Sequence, residues 1–382
     1  MFTNLQESFI QLVRLGIGIS RTDVADITDR VDWTQMKALA DAQGLTAVVL
    51  DGLSEMRNRR INLFGHKDDV REQWLPSREL MLQWIGQVQY WENVTAAQQK
   101  SAEKMAELFY KNNIGTYVLK GRVVSECYPI PSHRVSVDMD CFLRKVNEEG
   151  CLIQDSHEEA WTYGNELIEA EGYKVQRDFY KNSKYQLQNL TVENHRYLTP
   201  FRGNKTLMML ETVLQMMMNN DKGEDRFEGT MLYRPPVMVS TLFLIEHAYS
   251  HFLHEGLTWK MVLDWMMFRK KHQSEIDWNV FNARIDEFGF RRFFDSYNRL
   301  GLYLVDELNY DNLTFRDILM LNDIWADLDV HETVRGWKGK LHLAGNTWRA
   351  RWKYHYFSEL SMFQALWIQT KGYLFDKHPE LN

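Results

Sequence analysis

The sequence predicts an α+β protein in which an α/β core lies between two helical regions. Apolar residues recur at three- and four-residue steps up to about residue 100 and again from Lys205 onward, which is the period of amphipathic helices. Between Ile114 and Leu198 the pattern changes to short alternating runs that indicate strands, with one helical stretch among them. We therefore expect a helical N-terminal region over 1–100, a core with a mixed sheet over 101–200 and a helical C-terminal domain over 201–382.

The composition is that of an ordinary globular protein and argues against several classes. The chain has 382 residues, of which 45% are hydrophobic and 25% charged, and its net charge of -7 argues against a general nucleic-acid coat. Cys127, Cys141 and Cys151 show no paired spacing, so neither a disulfide framework nor a zinc site is expected. No apolar run approaches about 20 residues and no secretion signal is evident, so the simplest expectation is a cytoplasmic protein without a membrane span. The oligomeric state stays open.

Helical segments are predicted throughout the N-terminal region, and none carries a catalytic spacing. The first ends at Gly16, Asp32 caps a second that ends at Gly44, and Thr46–Met56 continues the pattern. Leu80–Tyr110 has apolar residues at helical steps over a long span and is expected to form one or two long helices. We interpret this region as scaffold.

The core is predicted to alternate short strands with two helices. Lys120 and Gly121 stand at the end of the first strand, and a proline-bearing segment follows the brief helix after it. The predicted strands are Thr116–Leu119, Val135–Leu143, Tyr173–Phe179 and Tyr185 to about Tyr197, and the predicted helices are Val123–Cys127 and Ser156 to about Ala170.

The strand Val135–Leu143 carries two carboxylates, Asp138 and Asp140, two residues apart. Alternate residues of a strand face the same side, so both acids project together, whereas Val137, Met139 and Cys141 line the opposite, buried face. Adjacent carboxylates repel each other unless a cation lies between them, and oxygen ligands select a hard ion such as Mg²⁺. The alternative is an exposed strand end with two solvated acids.

A later strand supplies a third acid. In Leu190–His195, Glu193 and His195 share one face of the strand. If this strand lies beside that of Asp138, three carboxylates converge, and such a set can hold two divalent ions about 3.5–4 Å apart for phosphoryl or nucleotidyl transfer. A surface-facing Glu193 and a His195 packed at the edge of the core are the alternative.

Charged residues of the C-terminal domain admit two interpretations each. His247 and His251 lie one helical turn apart but lack a third ligand at a suitable spacing, so we interpret them as residues that line a cleft or pack. Lys260 and Asp264 are four residues apart, as in an ion pair or a substrate contact. Residues 335–355 interleave basic and tryptophan side chains; contact with the acidic remainder of the chain is the first interpretation, and nucleic-acid binding is the second.

Several short motifs together resemble the uncharacterised nucleotidyltransferase family of the polymerase-beta-like superfamily. The similarity covers roughly residues 30 to 300 and implies a minimal nucleotidyltransferase fold, two magnesium ions, a nucleoside triphosphate such as ATP as donor and an acceptor that the family does not define. The motifs are Leu119-Lys120-Gly121, Tyr128-Pro129, Arg134, Val137-Asp138-Met139-Asp140 and Val192-Glu193-Asn194-His195, followed by Gly256–Lys260 with Leu263–Trp265.

This resemblance implies roles for the metal-binding acids. We expect Asp138 and Asp140 to hold both ions, and Glu193 to complete the acceptor-side metal site and to take the proton of the acceptor. His195 would orient Glu193 or meet the acceptor, and packing at the strand end is its alternative role.

The resemblance also implies contacts to the donor. Gly121 would offer backbone N–H groups to the phosphates. Lys120 and Arg134 would supply charge to the pyrophosphate group or serve as ion-pair partners, and Lys260 would contact the substrate. Arg122 stands where the superfamily usually has a small Ser or Gly, so it either replaces a phosphate contact with a charge or blocks it.

Two functions are therefore open. The first is metal-dependent transfer of a nucleoside monophosphate to a small molecule, sugar or protein, with release of pyrophosphate. The second is a catalytically inactive nucleotide-binding or protein-interaction module on the same fold.

Overall fold

A computed structural model describes residues 3–19, 31–64, 75–177, 180–326 and 350–375. The N-terminal region is helical, as predicted, and the segment before the first strand is one long helix. Side-chain oxygens of Thr3, Asp32 and Ser77 accept backbone N–H groups and cap three of its helices. The helices are α1 (Asn4–Gly16), α2 (Trp33–Ala42), α3 (Thr46–Phe64) and α4 (Arg78–Lys111).

A five-stranded mixed sheet forms the centre of the described chain and confirms the predicted fold class. Its strand order is β3-β4-β2-β1-β5, in which β2 runs parallel to β4 and β1 runs parallel to β5. The other two pairs are antiparallel. The elements are β1 (Ile114–Val118), α5 (Arg122–Ser125), β2 (Asp138–Lys145), α6 (His157–Ala170), β3 (Asn182–Leu187), β4 (Leu190–His195) and β5 (Leu232–Tyr233).

Three strand predictions were wrong in detail. Of Tyr173–Phe179, residues 178–179 lie outside the described residues, and the rest forms only an isolated bridge from Gln176 to Lys184. The predicted strand Tyr185–Tyr197 is two strands, because Gln188 adopts φ +50° and turns the chain between β3 and β4. Strand β2 begins at Asp138, where its pairing with β4 begins, so Val137 is 70% exposed rather than buried.

The described part of the C-terminal region is helical apart from β5, which the sequence did not predict and which joins the central sheet beside β1. It packs onto the rest of the described protein through one continuous hydrophobic core. Arg14 of α1 donates hydrogen bonds to the carbonyl oxygens of Tyr303 and Leu304, which fastens the first helix to the C-terminal region. The helices are α7 (Lys205–Asn220), α8 (Val237–His254), α9 (Trp259–His272), α10 (Trp278–Glu287), α11 (Arg291–Leu304), α12 (Phe315–Ala326), α13 (Arg351–Phe357) and α14 (Met362–Phe375). Within the described ranges, no helix combines the length and apolar character that crossing a bilayer requires.

Most of the basic aromatic stretch, residues 335–349, lies outside the described residues. In the part that is described, Lys353 is buried and its Nζ lies 2.6 Å from a carboxylate oxygen of Asp323. This contact agrees, for that one residue, with the interpretation that the stretch packs against acids of the same chain.

Candidate active site

Strands β2 and β4 bring two predicted site acids side by side. The strands are parallel, and Asp140 lies directly opposite Glu193 in their register. The intervening residues Met139 and Val192 are buried in the core, so the acids occupy the other face. Asp138, Asp140 and Glu193 line one cavity of about 640 Å³, to which helices α8 and α9 also contribute residues. The predicted adjacency of the two strands is confirmed.

The close ligand cluster at this face consists of Asp140, Glu193 and His195. One ligand atom from each of these residues lies within 4.8 Å of the others. Asp138 lines the same cavity but is not part of this cluster. The three-acid set that the sequence suggested is thus, in the structure, two acids and an imidazole, with Asp138 beside them.

The hydrogen bonds of His195 indicate how this cluster can meet a cation. Its Nδ1 lies 3.1 Å from the Tyr197 carbonyl oxygen, which can only accept a hydrogen bond, so Nδ1 carries a proton. Its Nε2 lies 2.9 Å from Asp140 Oδ1. In a neutral ring this Nε2 lone pair faces a carboxylate, and the two atoms then repel each other unless a cation lies between them; a doubly protonated ring would instead form an ion pair.

This donor set has ligand types and one ligand spacing that suit a divalent ion. Adjacent ligands of an octahedral ion at about 2.1 Å lie roughly 3 Å apart, close to the 2.9 Å between His195 Nε2 and Asp140 Oδ1. Two carboxylates suit Mg²⁺ or Mn²⁺, and the imidazole shifts the preference toward Mn²⁺ and its heavier neighbours. Asp140, Glu193 and His195 are therefore the residues that would hold an ion.

Lys120 already supplies a positive charge to the cluster. Its Nζ lies 3.2 Å from Asp140 Oδ2 and 3.1 Å from Nε2 of His247 on α8. Burial acts to raise the pKa of Asp140, but the Lys120 charge, together with His195 when its ring is doubly protonated, outweighs burial and holds that pKa well below its ordinary value. Burial and the Lys120 charge lower the pKa of His247, so its Nε2 accepts a hydrogen bond from Lys120.

Both carboxylate oxygens of Glu193 have partners on the neighbouring strand β3. Oε1 lies 3.0 Å from Lys184 Nζ, and Oε2 accepts a hydrogen bond of 2.7 Å from Asn182. These contacts fix the orientation of Glu193, a role that was one of the alternatives the sequence offered for His195. They also leave Glu193 less available as a proton acceptor than a carboxylate without partners.

Arg134 lines the cavity, and its guanidinium is paired with a residue of the C-terminal region. Its guanidinium donates two hydrogen bonds, of 2.9 and 2.8 Å, to the two carboxylate oxygens of Asp264. The hydroxyl of Tyr128 donates a third, of 2.7 Å, to the same carboxylate. Of the two interpretations of Arg134, the ion pair is the one that the structure contains.

Lys260 does not form the ion pair that its spacing from Asp264 allowed. Among the described residues its ammonium makes neither an ion pair nor a hydrogen bond, and it lines the cavity. Burial, reinforced by Arg134, lowers the pKa of Lys260 to about 8. Lys181 lines the same cavity without an ion pair in the described part of the chain, although its Nζ lies 5.9 Å from the Phe243 ring centroid.

Gly121 and Arg122 begin the short helix α5. Gly121 has φ +70°, a conformation that favours glycine. Within the described ranges, the N–H groups of Gly121 and Arg122 donate no hydrogen bond, as expected at a helix start. The Arg122 guanidinium lies 3.0 Å from Glu103 and 3.4 Å from Glu126. In the structure it therefore forms ion pairs with carboxylates of the protein, whereas the sequence suggested a contact to a phosphate.

Glu246 is a cavity residue that sequence reasoning did not assign to the site. It is 1% exposed, and its Oε2 has no hydrogen-bond partner among the described residues. Burial raises the pKa of Glu246 to about 7, although Lys181 opposes the shift. The signal in the sequence was a lone acid directly after the largely apolar run Val237–Ile245. Lys181 had no such signal, because it stands in a connection between predicted strands.

His247 and His251 line the cavity, which confirms their interpretation as cleft residues.

A mixed sheet that presents acids from two parallel strands to a cation-lined cavity agrees with the nucleotidyltransferase core that the sequence motifs implied. The chain belongs to a family described as uncharacterised nucleotidyltransferase, whose model matches residues 29–308. That span contains every candidate site residue, and it confirms the resemblance seen in the sequence. No curated protein and no solved structure matches the chain.

Proposed function

We propose that this protein transfers a nucleoside monophosphate from a nucleoside triphosphate to a nucleophilic oxygen of an acceptor. The acceptor oxygen attacks the α-phosphorus, the bond from that phosphorus to the β-phosphate oxygen breaks, and pyrophosphate leaves with the electron pair. The observation that carries the proposal is the parallel register of β2 and β4, which places Asp140 beside Glu193 in a cavity lined with cations.

Asp140, Glu193 and His195 would hold a divalent ion, and Asp138 stands beside them to contact it or a second one. When bound, such an ion neutralises triphosphate charge and polarises the phosphate that is attacked. The proton of the acceptor passes to a carboxylate of this group. Asp138 makes no ion pair among the described residues, whereas Glu193 already accepts two hydrogen bonds, so Asp138 is the stronger base candidate.

The triphosphate is assigned to the lysines of the cavity. Lys260 and Lys181 are cations without an ion pair in the described chain, so they can meet phosphate oxygens without first breaking a contact. The N–H groups at Gly121 and Arg122 add donors next to Asp138. The role of Arg134 is indirect, because its ion pair with Asp264 holds in place the segment that leads into β2.

A second candidate function is favoured by one contact. The Lys120 ammonium, 3.2 Å from Asp140, supplies the positive charge that the acid cluster needs. A protein that keeps this ion pair and takes up no metal would bind a nucleotide without transferring it. The second candidate is therefore a nucleotide-binding module that does not catalyse.

One experiment separates the two. The protein is incubated with each of the four α-³²P-labelled triphosphates, with Mg²⁺ or Mn²⁺ or EDTA, and with cell extract, and label on acceptors is measured. The proposal expects metal-dependent label in at least one fraction, lost in Asp140→Asn and kept in the exposed control Asp311→Asn. Triphosphate binding, measured by thermal shift, without any transfer would support the second candidate. Transfer that survives Asp140→Asn would overturn the assignment of the site.

A further inference from the structure

A second, smaller cavity adjoins the main one. It lies between α4 and the end of the sheet where β1 stops and β2 and β4 begin. We refer to this cavity as the slot, and its lining includes Thr95, Gln99, Ala102, Met139, Leu190 and Leu232. Lys120, Arg134 and Asp138 line both cavities, so the two meet at the acidic end of β2.

The size of the slot suits one ring system rather than a whole nucleotide. Its volume of about 60 Å³ has room for about four or five water molecules. A single heterocyclic base displaces about that much water. The main cavity, at about 640 Å³, is far larger, and it shares with the slot three of the charged residues that line the slot, Lys120, Arg134 and Asp138.

The lining of the slot has the chemistry of a base site. Met139, Leu190 and Leu232 present aliphatic surface, which packs against the flat face of a ring. Helix α4 supplies polar groups that lack partners. Thr95 Oγ1 is buried without a hydrogen-bond partner, and the Gln99 amide makes no hydrogen bond to any described residue. A buried polar group without a partner is rare, and the edge of a ligand would satisfy Thr95 Oγ1, with the half-exposed Gln99 amide beside it as a second polar group.

The position of the slot beside the main cavity determines how a ligand that occupies both would be oriented. A ring in the slot has Gly121 and Asp138 at its border and the lysine-lined cavity beyond them. A nucleoside triphosphate has this order of parts: an uncharged ring, a sugar and then the phosphates. We propose that the slot binds the nucleobase of the donor triphosphate, which leaves the main cavity to the phosphates and the acceptor. This inference rests on the proposed function.

The test fills the slot and compares ligands with and without a base. Ala102, which is buried, becomes methionine, and Ala96→Met on the exposed face of the same helix is the matched control. Binding of ATP, GTP, CTP, UTP and inorganic tripolyphosphate, each with Mg²⁺, is measured by calorimetry, and melting curves confirm that each variant is folded. We expect Ala102→Met to weaken every nucleoside triphosphate by about tenfold or more and to leave tripolyphosphate within about twofold.

Two milder variants cover the case in which Ala102→Met does not fold. Thr95→Val keeps the shape of the side chain and removes the hydroxyl, and Gln99→Leu removes the amide; both should change the ranking of the four triphosphates and leave tripolyphosphate unaffected. Unchanged nucleotide binding in all three variants, or a parallel loss of tripolyphosphate, would overturn the slot assignment alone. If neither the nucleotides nor tripolyphosphate bind the wild type, the proposed function fails and the slot assignment falls with it.

Discussion

The ammonium of Lys120 lies 3.2 Å from the buried carboxylate of Asp140, the central acid of the candidate site. Lys120 follows the end of β1, and Asp140 lies near the start of the neighbouring strand β2. Lys120 therefore stabilises an acid that the fold places out of water.

Replacing Lys120 with methionine should destabilise the protein and make it respond to metal. Asp140 would keep its burial and lose its cation, and breaking a buried pair in this way costs about 3–5 kcal/mol. Urea unfolding of Lys120→Met and wild type, with and without Mn²⁺, measures both effects. We expect Mn²⁺ to restore more stability to the variant than it adds to the wild type. An equal response would argue against a cation site at Asp140.

Replacing Asp264 with alanine should disconnect α9 from the segment that leads into β2. Arg134 would remain buried without its carboxylate, so we expect a loss of about 3–5 kcal/mol in the free energy of unfolding. The matched control is Asp286→Ala, which breaks a solvent-exposed pair with Arg291 and should change the stability little, because water screens such pairs. Chemical denaturation measures both variants, and similar losses would contradict a special role for the Arg134 pair.

The stability contributed by His133 should fall as pH rises. Its Nδ1 lies 2.6 Å from Asp51 and its Nε2 lies 3.2 Å from Glu92. The hydrogen bond to Asp51 raises the pKa of His133 against the effect of burial. A raised pKa stabilises the fold fully below the ordinary value near 6.5, and the contribution is lost as pH rises through the raised value.

The measurement is the difference in Tm between wild type and His133→Gln across pH 5 to 9. We expect the largest difference at the acidic end and a decline above neutrality. A difference that does not change with pH would show that the contacts act without the charge of the imidazolium.

Replacing Glu246 with glutamine should stabilise the protein at alkaline pH. The pKa of Glu246 is raised from 4.5 to about 7 in the folded state, so the folded state binds the proton more tightly than the unfolded state. Stability therefore falls as pH rises from about 4.5 to 7, by roughly 3 kcal/mol at most. Glu246→Gln should raise Tm at pH 8 and leave it nearly unchanged at pH 4.5. A lower Tm at pH 8 would indicate that the ionised carboxylate has a partner.

The face that each acid occupies was predictable from the sequence because it depends on local alternation, whereas the pairing of their strands entered only as a condition. Asp138 and Asp140 alternate with buried Met139 and Cys141, and Val192 identifies the inner face of β4 in the same way. The helices were predictable for a similar reason, since their caps and apolar periods are local. The turn at Gln188 was missed because no glycine marks it.

The partners of the cations were not predictable, since each is chosen by tertiary structure. Arg134 meets Asp264 across 130 residues of chain, and nothing in their local sequences links them. Lys260 does not pair with Asp264, although the helical spacing of the two residues allows it, because Arg134 occupies the Asp264 carboxylate. The slot could not be predicted from the sequence for the same reason, because its lining residues come from separate elements that include α4 and four strands.

The parallel register of β2 and β4 has a consequence for how such a protein can change over time. Burial of the Met139 and Val192 side chains sets that register. The neighbouring acids then lie on the opposite face of the sheet because side chains alternate along a strand. A descendant that loses the Glu193 carboxylate would keep this strand register while losing a candidate metal ligand, whereas loss of Asp140 would also leave the buried Lys120 ammonium without its partner. Substitution of Glu193 is therefore the easier route by which this fold could lose its cation site and remain intact.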